Sequence, residues 1–330
     1  MTKLVTGAAG FIGFSTARSL LESGETVVGI DIINDYYDVG LKMARLRILE
    51  EYPNFTFYRR DIADSGLVDF IRSHHADITE IIHLAAQAGV RYSLVNPYAY
   101  VQSNLAGQVV MLELARALPG LRNFVYASSS SVYGANKQSP FSVDHPVTRP
   151  ISLYAATKRA DELITYTYSH LFGFPAVGLR FFTVYGPWGR PDMATFLFTD
   201  AILAGRPIQV FNNGEMWRDF TYIDDIVAGI RAASLRPPGP DDDGVRHTVY
   251  NLGNHRPEKL TDMIGILEQA LGRKAIIEFR PMQPGDVVSS CADIETSRRD
   301  LGFEPTTDLA QGLPQFVSWF RDYYTSGMKS

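Results

Sequence analysis

The sequence predicts an α/β fold, a doubly wound parallel sheet followed by a smaller mixed α/β C-terminal region, on three observations. Strand-like apolar runs alternate with helix-periodic segments through residue 180. The first strand runs directly into a turn carrying glycines at 7, 10 and 13. The second strand ends on an acid, Asp31. Taken in order, residues 3–6 read as a short buried strand and residues 15–21 as the start of the helix that follows the glycines. Residues 26–30, Phe55–Arg59 and 79–83 read as the second, third and fourth strands. Residues 95–118 and 152–172 are the long helices of this half, with strands at 123–127 and 176–182. The second half is more irregular. Pro187, Gly189 and Pro191 break the chain, 196–204 reads as a helix, and 237–244 is an exposed Pro/Gly/Asp loop. That loop is no domain linker, because 249–252 resumes at once as a strand.

A chain of 330 residues can bury a large core, and its length predicts one to two domains. With 45% hydrophobic and 20% charged residues it has the composition of an ordinary globular protein. A net charge of −5 argues against a nucleic-acid partner. One cysteine, Cys291, excludes a disulfide framework within the chain and fits a reducing compartment. Thr2 and Lys3 lead straight into the first strand, leaving no room for a signal peptide. No apolar run approaches the ~18 residues of a membrane span, so the expectation is a cytoplasmic protein off the membrane.

The glycine turn predicts a dinucleotide. Glycines at 7, 10 and 13 permit a tight turn, close approach to a pyrophosphate and close packing of helix on strand. Asp31 falls 18 residues after Gly13 (31 − 13), where a ribose 2′-hydroxyl finds its partner. The same carboxylate repels a 2′-phosphate, so NAD is expected over NADP. The later strands end on Asp61-Ile62 and on Leu84-Ala85-Ala86, and ligands bind at carboxyl ends of strands in such sheets. The residues expected at the cofactor are therefore Gly7, Ala9, Gly10, Phe11, Ile12, Gly13, Asp31, Asp61, Ile62, Leu84, Ala85 and Ala86. His83 follows two isoleucines at a strand end and reads as a structural histidine bonded to backbone. No histidines or carboxylates gather at metal-ligand spacing, so no metal is expected.

Tyr154 and Lys158 stand four residues apart, which on a helix stacks both side chains on one face. A nearby ammonium favours a phenolate. Such a tyrosine can take a proton from a sugar hydroxyl while a hydride leaves the same carbon. The strand at 123–127 delivers Ser128 to Ser131 to the same sheet edge, where a serine hydroxyl can address the same oxygen. Asn104 on the first long helix is open between a cofactor or substrate contact and a solvated helix surface.

The glycine fingerprint, the serine run ending in Val132-Tyr133-Gly134 and the Tyr154/Lys158 pair together resemble the extended short-chain dehydrogenase/reductase family. Trp217-Arg218-Asp219-Phe220 and Tyr222-Ile223-Asp224-Asp225 resemble its nucleotide-sugar branch, so the likeness covers essentially the whole chain. The resemblance implies a Rossmann NAD-binding domain at 1–180, with the chain returning to it around 218–255, and a mainly UDP-sugar-binding region at 181–330. It implies a catalytic trio of Ser129, Tyr154 and Lys158, three residues before the Val-Tyr pair marking the serine. It also implies a tightly held NAD and a homodimer joined through the two long helices, whose apolar faces could equally be core.

Family dehydratases follow this serine or threonine with an Asp-Glu pair, and related decarboxylases place a glutamate in the loop. Here Ser130 and Ser131 occupy those places, and neither is a carboxylate base, which leaves epimerisation as the simplest reaction. The 181–193 segment, together with Asn34-Asp35-Tyr36-Tyr37-Asp38 and Met282-Gln283-Pro284-Gly285-Asp286, resembles UDP-glucuronate 4-epimerases. The Arg190 guanidinium offers a planar fork suited to a carboxylate, with Thr183, Ser130 and Ser131 as neutral donors to the same group. By position in the family pattern, Arg218 meets the diphosphate, Asp286 the ribose, and Gln209 to Phe211 the uracil. Gln283 replaces an arginine found in some galactose epimerases, leaving Arg280 as a candidate phosphate contact. UDP-glucose/galactose epimerase and UDP-glucuronate decarboxylase are the rival reactions.

Overall fold

The computed structural model describes residues 1–283 and 287–325. Seven parallel strands form the central sheet: β1 (Thr2–Thr6), β2 (Thr26–Asp31), β3 (Phe55–Arg59), β4 (Ile78–His83), β5 (Asn123–Ser129), β6 (Ala176–Phe181) and, after three strands elsewhere, a strand at His247–Leu252. Between them run α1 (Phe11–Glu22), α2 (Val39–Glu50), α3 (Gly66–His74), α4 (Pro97–Tyr100), α5 (Gly107–Ala117) and α6 (Leu153–Phe172). Because β4 and β5 lie on one side of β1 while β2 and β3 lie on the other, strand order reverses between β1 and β4. That reversal opens a crevice at the carboxyl ends of the strands. β1 is buried from Lys3 to Thr6, with Leu4 and Val5 fully enclosed and the Lys3 ammonium paired with Glu80, as befits a strand covered on both faces.

The C-terminal part adds β7 (Thr183–Tyr185), α7 (Ala194–Leu203), β8 (Ile208–Val210), β9 (Trp217–Tyr222) and α8 (Ile223–Leu235). The His247–Leu252 strand, β10, pairs in parallel with β6 at the sheet's edge, and α8 packs on β5 and β6. β11 (Pro257–Lys259) joins β9 and β7 in a three-stranded sheet, while β12 (Ile277–Phe279) pairs with β8. Helices α9 (Leu260–Leu271), α10 (Glu295–Leu301) and α11 (Leu309–Thr325) complete this half. Its core continues that of the main sheet: Phe182, Val184, Phe220, Met263, Phe316 and Phe320 are buried in one cluster with Val5 and Val177. Among the described residues, no helix is long and apolar enough to cross a membrane.

The expected single helix at 95–118 is replaced by three segments. Helix α4 starts on Pro97 behind an Asn96 cap, passes into a π-helical turn at Val101–Ala106, and becomes α5. A π-turn inserts one residue and rotates the face, a change that hydrophobic spacing cannot reveal. Here it turns Asn104 inward, leaving it 2% exposed; its amide donates to Thr157 Oγ1 at 3.0 Å and accepts from the Gln87 N–H at 2.8 Å. Asn104 is therefore a buried brace between the β4 loop and α6, and not a surface residue.

Candidate active site

The crevice is lined by Gly7, Gly10, Phe11, Ile12, Gly13, Asp31, Asp61, Ile62, Leu84, Ala85, Ala86, Ser129, Tyr154, Lys158 and Arg190, each singled out from the sequence. Ala9 lies directly behind it, fully buried, with its N–H donated to the Asp31 carboxylate at 3.1 Å. Gly7 sits at φ +72° where a Cβ would stand 2.9 Å from the Ala85 nitrogen, so the glycine loop and the β4 loop touch backbone to backbone. At Gly13 a Cβ would stand 2.0 Å from the Gly7 carbonyl oxygen. This cradle has room for a flat phosphate-bearing ligand only because no side chain fills it, and it opens at the N-terminus of α1. The Asp31 carboxylate also accepts from the Ile33 N–H at 2.8 Å, which leaves lone pairs on both oxygens for a ribose diol. These residues fit an NAD.

The loop after β4 is held from below by a polar chain. Thr6 Oγ1 accepts the N–H groups of Leu84 and Ala85 at 3.2 and 3.1 Å, so its own proton goes to His83 Nδ1, 2.7 Å away. Burial, then the nearby Lys158 ammonium, lower the His83 pKa to about 3, so the ring is neutral and accepts through Nδ1. The histidine is structural, as its place in the chain suggests, but its partner is a threonine hydroxyl and not backbone.

Helix α6 begins on Ser152, whose side chain accepts the Ala155 N–H, and ends at Gly173 in the left-handed conformation. Its position is fixed from below by Glu162, fully enclosed. That carboxylate accepts two bonds from the Arg180 guanidinium on β6 at 2.8 and 2.9 Å and one from Ser128 on β5 at 2.7 Å. One turn higher, Tyr154 and Lys158 reach the crevice, with the Tyr154 ring edge-on to Tyr100 at 6.0 Å. Ser129 closes the trio. Its oxygen accepts from the Ser131 N–H at 3.2 Å and from the Ser131 hydroxyl at 2.9 Å, which leaves the Ser129 proton to donate into the crevice. Ser131, expected to be a donor toward substrate, thus spends its hydroxyl proton on Ser129.

The Arg190 fork is already engaged. Its Nε donates to Asp192 Oδ1 at 3.0 Å and its Nη2 to Oδ2, while the Tyr36 hydroxyl donates to Oδ2 at 3.1 Å. Burial and the facing Asp192 push the Tyr36 pKa up to about 12, so the phenol stays a donor. Arg190 loses charge stability to burial but gains more from Asp192, and its pKa is raised. The loop carrying it is tied down by Arg45, fully buried, which donates to the Trp188 carbonyl at 2.6 Å and to the Ala9 carbonyl at 2.9 Å. Trp188 holds φ +64°, an uncommon conformation for a large side chain that this anchoring sustains.

Other sequence-selected residues lie outside the crevice lining. Ser130 and Ser131 form a 3₁₀ turn beside Ser129, and Thr183 pairs with Phe220 at the start of β7. Gln209 is exposed on β8; Phe211 follows it with the Arg91 guanidinium 5.2 Å from its ring centroid. Arg218 donates to the Trp217 carbonyl at 2.9 Å, and Arg280 pairs with Glu278. Asp286 lies outside the described residues. Sequence reading missed Asp192, two residues from Arg190, and Asp161, three residues from Lys158 on the same helix face; that short spacing was the available signal. Among the described residues no group of three His, Cys, Asp or Glu side chains is placed to hold a metal ion.

Residues 3–253 match the model of the NAD dependent epimerase/dehydratase family. UDP-glucuronate 4-epimerase 4 of Arabidopsis thaliana is 46% identical over 342 residues, covering 100% of this chain and 77% of that protein. Protein CapI of Staphylococcus aureus is 44% identical, covering 98% of this chain and 99% of that one. The crystal structure of UDP-glucuronic acid 4-epimerase from Bacillus cereus, in complex with UDP-glucuronic acid and NAD, superposes with a TM-score of 0.89 at 36% identity. It covers 98% of this chain and 100% of that one.

Proposed function

The chain belongs to the NAD dependent epimerase/dehydratase family, and from that membership we propose that it interconverts UDP-glucuronate and UDP-galacturonate by NAD-dependent epimerisation at C4. The observation that carries this reading is that Ser129, Tyr154 and Lys158 all line the crevice and that, among the described residues, no carboxylate lines it beside them. The carboxylates that line the crevice are Asp31 and Asp61, at the ends of β2 and β3, on the far side of β1 from Tyr154. Dehydration needs a second acid/base at the sugar, and the described residues around the trio offer none.

In the forward reaction Tyr154 takes the proton of the sugar O4, and the Ser129 hydroxyl holds that oxygen by donating to it. NAD in the cradle supplies the acceptor for the C4 hydride and afterwards its donor. The 4-keto sugar then turns over in the pocket that Ser129, Phe181 and Phe182 line, so that the hydride returns to the opposite face of C4 while Tyr154 returns its proton to O4. Lys158, one turn further along α6, places its positive charge on the same helix face as Tyr154 through both halves. Ser130, in the turn after Ser129, and Thr183, at the start of β7, would be neutral partners for the uronate carboxylate, with Arg190 as its charged partner. Arg218, Gln209 and Phe211 would meet the uridine diphosphate. Incubation with UDP-glucuronate and no added cofactor is expected to yield UDP-galacturonate. Accumulation of a decarboxylated pentose nucleotide would assign the decarboxylase reaction instead.

The same reading includes a homodimer. Leu94, Val95, Tyr98 and Val101 on the α4 side and Leu163 and Leu171 on α6 are exposed, up to 82% at Tyr98. α4 packs against α6, so these apolar groups lie on neighbouring elements, and grouped exposed apolar side chains mark an interface. Sedimentation equilibrium is expected to give twice the 36.8 kDa chain mass. A monomer at micromolar concentration would contradict it.

A further inference from the structure

We propose that Asp161 is a positioning residue for Lys158: it holds the ammonium by one carboxylate oxygen, aims its remaining proton into the crevice, and moderates the positive charge that Tyr154 works beside. This rests on the roles assigned above to Tyr154 and Lys158. The geometry is local and fully enclosed. Lys158 Nζ donates to the Ala127 carbonyl on β5 and to Asp161 Oδ2 on its own helix, both at 3.0 Å. An ammonium has three protons in tetrahedral array, so two are committed downward and one is left to face the site. Lys158 is 3% exposed and Asp161 fully buried, so the contact between them is shielded from bulk solvent.

Two features separate this pair from an ordinary structural ion pair. First, Asp161 Oδ1 is buried and has no hydrogen-bond partner, although a carboxylate has about four acceptor sites. The neighbouring polar groups do not supply one: Thr165 donates to the Asp161 backbone carbonyl at 2.7 Å, and Gln108 donates to Thr165 at 2.8 Å. An anion so poorly solvated is costly, and such groups persist at functional sites. Second, Asp161 sits beside Glu162 yet does not share its role. Glu162 is satisfied by Arg180, Arg159 and Ser128, whereas Asp161 serves Lys158 alone.

Among the described residues, the titratable groups that act on the pair are few: Glu162 on α6, Tyr126 on β5 and His83 on β4, while Arg180 on β6 and His247 on β10 face Glu162 beside it. Burial, followed by Lys158, lowers the His83 pKa to about 3; burial lowers that of His247 to about 4, so both rings are neutral at working pH. Tyr126 is buried and its pKa is raised, which keeps it neutral, and Arg180 and Glu162 offset one another. Asp161 is therefore the negative charge that faces Lys158. Burial pushes its pKa up to about 6, against the opposing pull of Lys158. With its folded pKa above the unfolded value, its stabilising contribution is present below the unfolded pKa and is lost as pH rises through about 6. Above that pH the ionised carboxylate stands at a cost to the fold, which a purely structural residue would not be expected to carry.

The test is the pH profile of kcat/KM for D161N and D161S, both measured as the NAD-bound protein alongside the wild type. Wild-type turnover is established first, so that failure of the epimerase reading is seen separately. D161N keeps an oxygen for Lys158 and removes the charge; Lys158 then acts on Tyr154 uncompensated. The acidic limb is expected to move down by about one pH unit, a typical effect of one nearby charge. D161S, which loses the contact as well, is expected to show the same displaced limb and a kcat at least tenfold lower. D161E, which restores the charge, is expected to bring the limb back to its wild-type position. A limb that coincides with wild type in whichever of D161N and D161S folds with NAD bound would overturn the proposal, whatever the change in overall rate.

Discussion

Replacing Tyr154 with phenylalanine is expected to lower kcat by about 10²–10⁴-fold, the range for loss of a positioned general acid/base. The substitution deletes one oxygen and keeps the ring, so the edge-on contact with Tyr100 survives and α6 is undisturbed. Bound NAD is expected to be retained, because the glycine cradle, Asp31 and Lys158 are untouched. KM for UDP-glucuronate should change little, since the phenol acts on the O4 proton in the transition state more than on the resting sugar. The loss is this large because the described residues that line the crevice offer no second general base beside Tyr154. Ser129 has both lone pairs committed to Ser131, and the crevice carboxylates lie beyond β1. Steady-state assays with NAD content measured on the same preparation check it. A variant that keeps wild-type kcat would move the base to another residue.

Arg190→Ala is expected to cost about tenfold to a hundredfold in UDP-glucuronate affinity, the value of charge-assisted hydrogen bonds to a carboxylate. Binding of the neutral UDP-glucose should change by much less. The structure adds a condition that the sequence does not show. The Arg190 fork is held by Asp192, itself held by Tyr36, so a substrate carboxylate must displace or share an internal one. Removing the arginine also leaves Asp192 as an unpaired negative charge at the pocket edge. The R190A/D192N pair separates the two effects: loss of the fork persists in the double variant, while repulsion by Asp192 disappears. Calorimetry with both nucleotide sugars reads the difference. Equal losses for the two ligands would remove Arg190 from substrate selection.

The features legible in the sequence are those fixed by a few adjacent residues. The glycine turn, Asp31 at the end of β2, the Leu84 to Ala86 loop and the Tyr154/Lys158 spacing all depend on local backbone geometry, and each reaches the crevice. Features set by partners distant in the chain, or by a change of helical pitch, were not legible. The π-turn at Val101–Ala106 shifts a face by one residue within an apolar run, so 95–118 reads as one helix and Asn104 as ambiguous. Arg190 reads as a free fork because a sequence does not say that Tyr36 will hold Asp192 against it. Ser131 reads as a substrate donor because the strand end that turns its hydroxyl back onto Ser129 is a three-dimensional fact. Of the residues named only through family resemblance, Gln209 and Arg218 sit on small C-terminal strands and Phe211 in the 3₁₀ turn after β8, where no local pattern marks a nucleotide contact.

The measurement closest to the proposed chemistry is NMR of UDP-glucuronate deuterated at C4, incubated with the purified protein and no added nicotinamide. Deuterium is expected to remain on C4 of the UDP-galacturonate formed, because the hydride leaves and returns within one site while only the O4 proton passes through Tyr154. Epimer formation with the label washed out into water, or no epimer formed at all, would contradict it.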